Sequence, residues 1–286
     1  MSRTPFAPLF DRIVDDAAVF PPGLAPLEAA VRDHLDRRTG PYAAHIGPLL
    51  VPATSAAEVA GLAAADERTE GAPLEVGLVM RPGSPVQPLL EALETLHDDT
   101  RVLVTAGELG WSSEWRQVLA AEVPVVVEVG LGEDQERALD DLAAAVDDDH
   151  DVTAKFRTGT TPTWRWPDER VLAGFLDAVV LRALPFKLTG GLHHAVRGRY
   201  DGEPMHGLLN VVLATHEAVH GAEADDLAGE LARQDAEVLV TAVSGLGTLD
   251  AERVRESFTA YGCCGVLDPL TELGALGLIP TKEHQR

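Results

Sequence analysis

The chain has 286 residues, and its 23 Lys and Arg against 46 Asp and Glu give a net charge of −23 and an isoelectric point near 4.7. This excess of negative charge repels phosphate backbones and argues against nucleic acid as a partner. Apolar residues make up 45% of the sequence, which is enough for a large core and excludes an intrinsically disordered protein.

No apolar run in the sequence approaches the length that spans a membrane, and the N-terminal residues lead into no signal-type apolar segment. The two cysteines, Cys263 and Cys264, are adjacent and leave no disulfide framework. We therefore expect a cytoplasmic protein with no membrane partner. The composition leaves a homo-oligomer open.

The chain begins with a helical pattern rather than a strand pattern. After a Pro-Pro-Gly turn, Leu24, Leu27, Val31 and Leu35 recur at helical spacing. We expect residues 1–40 to form a helical segment that covers one end of the fold.

Short apolar runs then alternate with helical patterns through the middle of the chain. The predicted strands are 46–52, 74–80, 101–105, 124–129, 152–158 and 185–189. Helices are predicted over 168–184 and 207–221, after the fifth and sixth of these strands. Strands that alternate with helices at this spacing indicate βα units around a parallel sheet.

Six consecutive βα units favour a closed barrel over an open doubly wound sheet, and no Gly-x-Gly-x-x-Gly follows the first predicted strand. The remaining strands are ambiguous. Residues 237–243 are strand-like but could belong to a helix, and 262–267 and 17–20 could each supply a strand. We predict a single α/β domain over residues 1–286, a TIM-barrel-like (β/α)8 fold with an irregular seventh or eighth unit.

The fifth predicted strand places two cations on one face. Side chains alternate along a strand, so Lys155 and Arg157 share a face, and Phe156 suits the helix layer on the other. The two cations are therefore expected inside the barrel, where unpaired charge is costly. Glu128, alone in the apolar fourth strand, is the expected protein partner, and a bound carboxylate or phosphate is the other.

The sixth predicted strand adds Lys187, which points inward by the same alternation, and ends in Thr189 and Gly190. We expect the glycine pair after Thr189 to let a ligand approach the backbone. The loop 190–206 is long for a βα connection, which is typical of functional loops. Its candidate site residues are His193, His194 and Arg197.

Each of these residues has a structural alternative. Lys187 could form a salt bridge that lines the barrel, bind an anion as an ammonium, or act as a Schiff-base nucleophile with a pKa lowered by neighbouring cations. His193 and His194 could pack the loop or act as general acid and base. Asn210 could orient a helix or bind substrate. Asp15 and its neighbour Asp16 could cap a turn or close over the barrel mouth.

Local charge favours an anionic ligand. Residues 152–206 carry a net charge of +3, whereas the rest of the chain carries −26. A positive pocket in a strongly negative protein would focus a small anion electrostatically.

A metal-binding pattern also occurs. His216, Glu217 and His220 match H-E-x-x-H, which on a helix places two histidines on one face for zinc, with the glutamate as base. The helix is expected to end near residue 221, and it lies outside the barrel, away from the strand ends. A solvated or partly buried helix face is therefore the competing interpretation.

Five segments resemble a bacterial, mainly actinobacterial, protein family with a barrel-like pattern and no established activity. They are residues 15–22, 154–159, 185–194, 205–211 and 268–278. The resemblance supports the boundaries of these motifs and carries over no catalytic assignment. The strand lysine Lys187 is similar in place to that of class I aldolase barrels at the level of the fold.

The leading hypothesis is an enzyme that acts on a small carboxylated or phosphorylated metabolite at the C-terminal mouth of the barrel, by lyase or aldolase-type chemistry and without a cofactor. The expected catalytic residues are Lys187, Lys155, Glu128 and His193. The expected substrate-binding residues are Arg157, His194, Arg197, Asn210, Thr189 and Gly190. The alternatives are a zinc hydrolase that uses His216, Glu217 and His220, and a non-catalytic barrel that binds an anionic metabolite.

Overall fold

The protein folds as a closed parallel β-barrel with helices around it. The computed structural model describes residues 7–161 and 165–281. The barrel strands are β1 Val14–Asp16, β2 Ile46–Pro52, β3 Leu74–Val79, β4 Val102–Gly110, β5 Val125–Glu128, β6 Val152–Arg157, β7 Phe186–Thr189 and β10 Phe258–Cys263. Neighbours in the barrel follow chain order, and β10 pairs with both β7 and β1. The predicted TIM-barrel-like α/β fold is confirmed.

The N-terminal segment is part of the barrel, contrary to the prediction that residues 1–40 cover one end. Val14 pairs with Tyr261 of β10 and with Ile46 of β2, so β1 closes the ring. Residues 17–20 follow this strand as a turn and contribute no strand themselves. The three-residue strand was missed because it is too short to show an apolar periodicity.

Helices follow most of the strands. They are α1 Ala7–Phe10, α2 Leu27–Arg37, α3 Ala56–Ala65, α4 Gln87–Leu96, α5 Gln135–Asp147, α6 Glu169–Leu181, α7 Leu208–Val219, α8 Ala224–Ala232, α9 Ala236–Ser244, α10 Thr248–Ser257 and α11 Leu267–Ala275. Between β4 and β5 a 3-10 helix, Trp115–Ala121, takes the place of an α-helix. No helix among the described residues combines the length and the apolar character that crossing a membrane requires.

The unit that begins with β7, which the sequence pattern counted as its sixth, is irregular. A hairpin of β8 Gly198–Tyr200 and β9 Glu203–Met205 precedes α7, and three more helices precede β10. The strand-like run 237–243 lies within α9, so its apolar residues belong to a helix. The run 262–267 holds only the end of β10 and the turn into α11.

Aromatic packing between the barrel and its helices fixes which side chains face inward. Phe156 of β6 stacks on Phe175 of α6 with ring centroids 4.5 Å apart, and Phe186 of β7 stacks on Phe258 of β10. Because neighbours along a strand point in opposite directions, these outward phenylalanines turn Lys155 and Lys187 into the barrel. The strand alternation thus places two ammonium groups near the barrel axis.

Candidate active site at the barrel axis and mouth

Two lysines and three carboxyl groups form a buried ionic layer inside the barrel. The Lys155 Nζ lies 2.9 Å from Glu108 Oε2 and 3.0 Å from Glu128 Oε2. The Lys187 Nζ contacts Glu108 and lies 2.5 Å from Asp15 Oδ2. These five side chains are each less than 10% exposed. We call these five residues the ionic layer.

The layer shifts the pKa values of its members in opposite directions. Burial by itself would raise the pKa of Glu108, but the ammonium groups of Lys155 and Lys187 outweigh it and hold that pKa at about 2. The pKa of Glu128 is also lowered, since Lys155 and Arg157 outweigh the effect of burial. Burial raises the pKa of Asp15 despite its contact with Lys187.

The pKa of Lys187 is raised, which is the opposite of the lowering predicted for a Schiff-base lysine. Burial would lower it, but the carboxyl groups of Asp15 and Glu108 outweigh burial. The pKa of Lys155 is raised for the same reason, through Glu108 and Glu128. Each ammonium therefore has carboxylates in contact, and both lysines are protonated at neutral pH.

The sequence reasoning missed Glu108, and it missed the contact of Asp15 with Lys187. Glu108 pairs with Val126 in the register of β4 and β5, and its carboxylate bridges Lys155 and Lys187. A usable signal was present, because an acidic residue inside a buried strand needs a cationic partner. The third predicted strand ended at residue 105, however, and so excluded Glu108.

Arg157 lies above the ionic layer, at the C-terminal end of β6. Its Nε donates to Glu128 Oε1 at 3.2 Å, and its side chain is 26% exposed. The predicted partnership of Glu128 with Lys155 and Arg157 is therefore present. In the strand register Arg157 pairs with Thr189, and Thr189 pairs with Gly262 of β10. These residues line one side of the barrel mouth.

The glycine after Thr189 is required by the protein's own backbone. Gly190 has φ +80, and a Cβ there would come 2.9 Å from the Arg157 guanidinium. A Cβ on Gly159 would overlap the Gly190 carbonyl oxygen. The close approach predicted here is thus between the loops after β6 and β7, and a ligand role for Gly190 stays a prediction.

His193 lies at the mouth between the two cysteines. Its Nδ1 is 3.5 Å from Cys263 Sγ, and its Nε2 is 3.7 Å from Cys264 Sγ. Asp268 of α11 is 3.8 Å from Nδ1. Burial lowers the pKa of His193 and raises the pKa of both thiols. A neutral imidazole therefore faces protonated thiols. No local pattern joins these residues, since 70 positions separate His193 from Cys263.

Two further candidates, His194 and Arg197, hold the loop 190–206 in place. His194 stacks on Tyr200 and lies 2.7 Å from Glu272 of α11. Arg197 pairs with Glu169 of α6. Their contacts give both residues a structural role in the resting protein.

Asn210 uses its whole amide group within the protein. Its Oδ1 accepts from the Arg197 backbone N–H at 2.9 Å, and its Nδ2 donates to the carbonyls of Glu230 and Arg233 at 2.8 Å each. The side chain is fully buried. These bonds favour the structural alternative for Asn210 over substrate binding.

His216 and Glu217 lie on the outer helix α7, as expected, and His220 caps the C-terminal end of that helix, away from the mouth. His216 and His220 meet Asp250 of α10, with one potential ligand atom of each residue within 4.8 Å of the others. The Glu217 carboxylate lies 3.3 Å from His216 Nδ1. The Glu217 carboxylate is therefore engaged with the ring of His216.

A cavity of ≈ 380 Å³ reaches the ionic layer from the N-terminal end of the barrel. Asp11, Arg12 and Arg255 line it just before β1 and β10, together with Lys187. Lys187 thus faces a space at the end of the barrel opposite the predicted site.

No family model, curated protein or solved structure matches the chain.

Proposed function

We propose that the protein is an enzyme that acts on a small carboxylated or phosphorylated metabolite at the C-terminal mouth of the barrel, by lyase-type chemistry that begins with proton transfer. The observation that carries the proposal is the position of Arg157. It is the partly exposed cation directly above the ionic layer, on the face where barrel enzymes bind substrates.

Arg157 would hold the anionic group of the substrate. A guanidinium offers a planar set of donors that suits carboxylate and phosphate oxygens. Its contact with Glu128 orients it, and Lys155 beneath offsets part of the negative charge of Glu128. The acidic remainder of the chain would guide anions toward this region rather than elsewhere on the surface.

His193 would move the proton. Because burial lowers its pKa, His193 is a neutral base at physiological pH. The thiol of Cys264, 3.7 Å from His193 Nε2, is a weak proton donor beside it. Removal of a proton from the carbon next to a carbonyl starts the bond-forming direction of an aldolase-type lyase, the reverse of carbon–carbon cleavage. An anion held by Arg157 would place that carbon at the mouth.

Lys187 receives no nucleophilic role in this proposal, because Asp15 and Glu108 keep its amine protonated. An imine at Lys187 would first require loss of that proton. Borohydride trapping with keto acids and aldehydes, read by mass spectrometry, separates the two mechanisms. A stoichiometric adduct on Lys187 would contradict the electrostatic role and favour the aldolase-type one.

The main test is proton exchange in D₂O with a panel of small keto, hydroxy and phosphorylated acids, followed by NMR. We expect the wild type to exchange a proton next to the carbonyl or carboxylate of at least one panel member. The variant His193→Gln should lose about 10²-fold or more in rate, the usual contribution of a general base. Arg157→Met should raise KM more than it lowers kcat.

The matched control is Arg170→Met, which removes an exposed arginine paired with Asp225. It should exchange and bind as the wild type does. Binding without exchange would favour the non-catalytic barrel, and failure of every panel member to bind would overturn the proposal.

A further inference from the structure

A second cluster with metal-ligand chemistry lies on the outside of the barrel, where α7 ends and α10 begins. His216, His220 and Asp250 each offer one ligand atom within 4.8 Å of the others. We propose that these three residues bind a divalent transition-metal ion, with Zn²⁺ as the best-suited ion, and that the ion joins α7 to α10. This site is independent of the activity proposed for the mouth.

The hydrogen bond of His220 fixes which ring nitrogen is available. Its Nδ1 lies 2.7 Å from the backbone carbonyl of His216. A carbonyl can only accept, so Nδ1 carries the proton and Nε2 presents its lone pair. That Nε2 faces Asp250 Oδ1 at 3.6 Å. The neutral tautomer that ligates a metal is therefore the one that the backbone selects.

The spacing of these two atoms also suits a shared ion. At 3.6 Å they are too far apart for a charge-assisted hydrogen bond. Two ligands at zinc bond lengths of about 2.0–2.1 Å in tetrahedral geometry are separated by roughly 3.3 Å. A small closure of the two side chains would place both atoms at bonding distance from one ion.

Contacts within the protein also orient the other two ligands, His216 and Asp250. The His216 Nδ1 lies 3.3 Å from the Glu217 carboxylate, an acceptor of the kind that orients metal-binding histidines. The Asp250 Oδ2 accepts from the Gly247 N–H at 3.2 Å, which anchors the carboxylate while Oδ1 faces His220. These contacts assign Glu217 to orientation of His216 rather than to hydrolysis.

The consequence of metal binding would be mechanical. α10 leads directly into β10, the strand that closes the barrel and carries Cys263 and Cys264 near its end. An ion held by both α7 and α10 would restrain the irregular unit that begins with β7. It would stabilise the folded state by mass action, because the unfolded chain does not bring these three ligands together.

The test uses untagged full-length protein, stripped with a chelator and dialysed against Zn²⁺. We expect one ion per chain by elemental analysis, and a rise in Tm that EDTA reverses. Glu217→Gln should weaken Zn²⁺ binding about tenfold, and His220→Ala and Asp250→Asn, which change the ligands themselves, should each weaken it by a larger factor. Asp250→Asn keeps an acceptor for Gly247, so its metal-free Tm should match that of the wild type.

Two controls separate this site from other ligands. His97→Ala removes an exposed histidine and should bind Zn²⁺ as the wild type does. Cys264→Ser removes a thiol at the mouth and should leave the stoichiometry at one, and the Co²⁺-loaded protein should lack a thiolate charge-transfer band. Absence of stoichiometric Zn²⁺, or equal Zn²⁺ binding by His220→Ala and the wild type, would overturn the proposal.

Discussion

The barrel interior and the barrel mouth both hold charged and titratable groups, but they use them differently. In the ionic layer, Lys155 and Lys187 are covered by Glu108, Glu128 and Asp15, at exposures below 10%. At the mouth, Arg157 is 26% exposed and His193 is neutral. In the interior the charged groups are paired with one another and buried, whereas at the mouth Arg157 and His193 are partly exposed.

This difference explains why the pKa of Lys187 is raised although the residue is buried on a barrel strand near other cations. Burial lowers the pKa of a lysine only when carboxylates do not oppose it. Asp15 and Glu108 do oppose it here. An inward lysine near other cations is therefore no indication of an activated amine until its anionic neighbours are known.

The largest expected effect comes from breaking the ionic layer at Glu108. The Glu108→Ala variant leaves Lys155 and Lys187 with reduced compensation in a buried site, and we expect a loss of about 3–5 kcal/mol in the free energy of unfolding. Urea denaturation measures this loss. Asp225→Ala, which removes an exposed ion pair with Arg170, should cost less than about 1 kcal/mol. Equal effects of the two variants would show that the interior layer has no special energetic role.

Acid should break the same layer reversibly. The folded pKa of Glu108 is about 2, against an ordinary 4.5. A lowered folded pKa stabilises the protein fully above the ordinary value, and this stabilisation is lost as pH falls from 4.5 toward 2, by roughly 3 kcal/mol in total. Unfolding free energies of the wild type and of Glu108→Gln, measured across that range, should differ in slope. Parallel curves would contradict the lowered pKa.

The next prediction concerns Asn210, whose amide bonds to the backbone of the loop 190–206 and of α8 and its end. We expect it to stabilise this loop rather than to bind a ligand. Asn210→Ala leaves the Arg197 N–H and the carbonyls of Glu230 and Arg233 without their partner. We expect a loss of about 1–3 kcal/mol in unfolding free energy. Hydrogen exchange should show faster opening of the loop. Unchanged stability combined with lost ligand affinity would instead support substrate binding by Asn210.

The smallest expected effect is on the pKa of His193. Asp268 raises the pKa of His193 against the stronger lowering by burial. Asp268→Asn should therefore move that pKa further down, with a stability change under about 1 kcal/mol because the Asp268 side chain is 61% exposed. An NMR titration of the His193 ring reports the shift. A rise in the pKa would rule out the electrostatic contact.

The local sequence was sufficient to predict a contact where that contact follows from the alternation of side chains along one strand, or joins two strands that are consecutive in the chain. The inward direction of Lys155 and the pairing of Glu128 with Arg157 were both predicted in this way. Glu108 escaped prediction because β4 extends to Gly110, beyond the predicted 101–105. Asp15 escaped because β1 has only three residues.

The sequence by itself determined the barrel, through repeated strand and helix patterns, and the set of inward cations, through the two-residue period of a strand. Only the tertiary structure decided which carboxyl groups meet those cations, that His193 lies between two thiols, and that Asp250 joins His216 and His220. The physical reason is that a pKa and a ligand set depend on distances across the barrel and between helices. Those distances are set by closure of the barrel and by helix packing. Neither can be read from the periodicity of apolar residues along a strand or a helix.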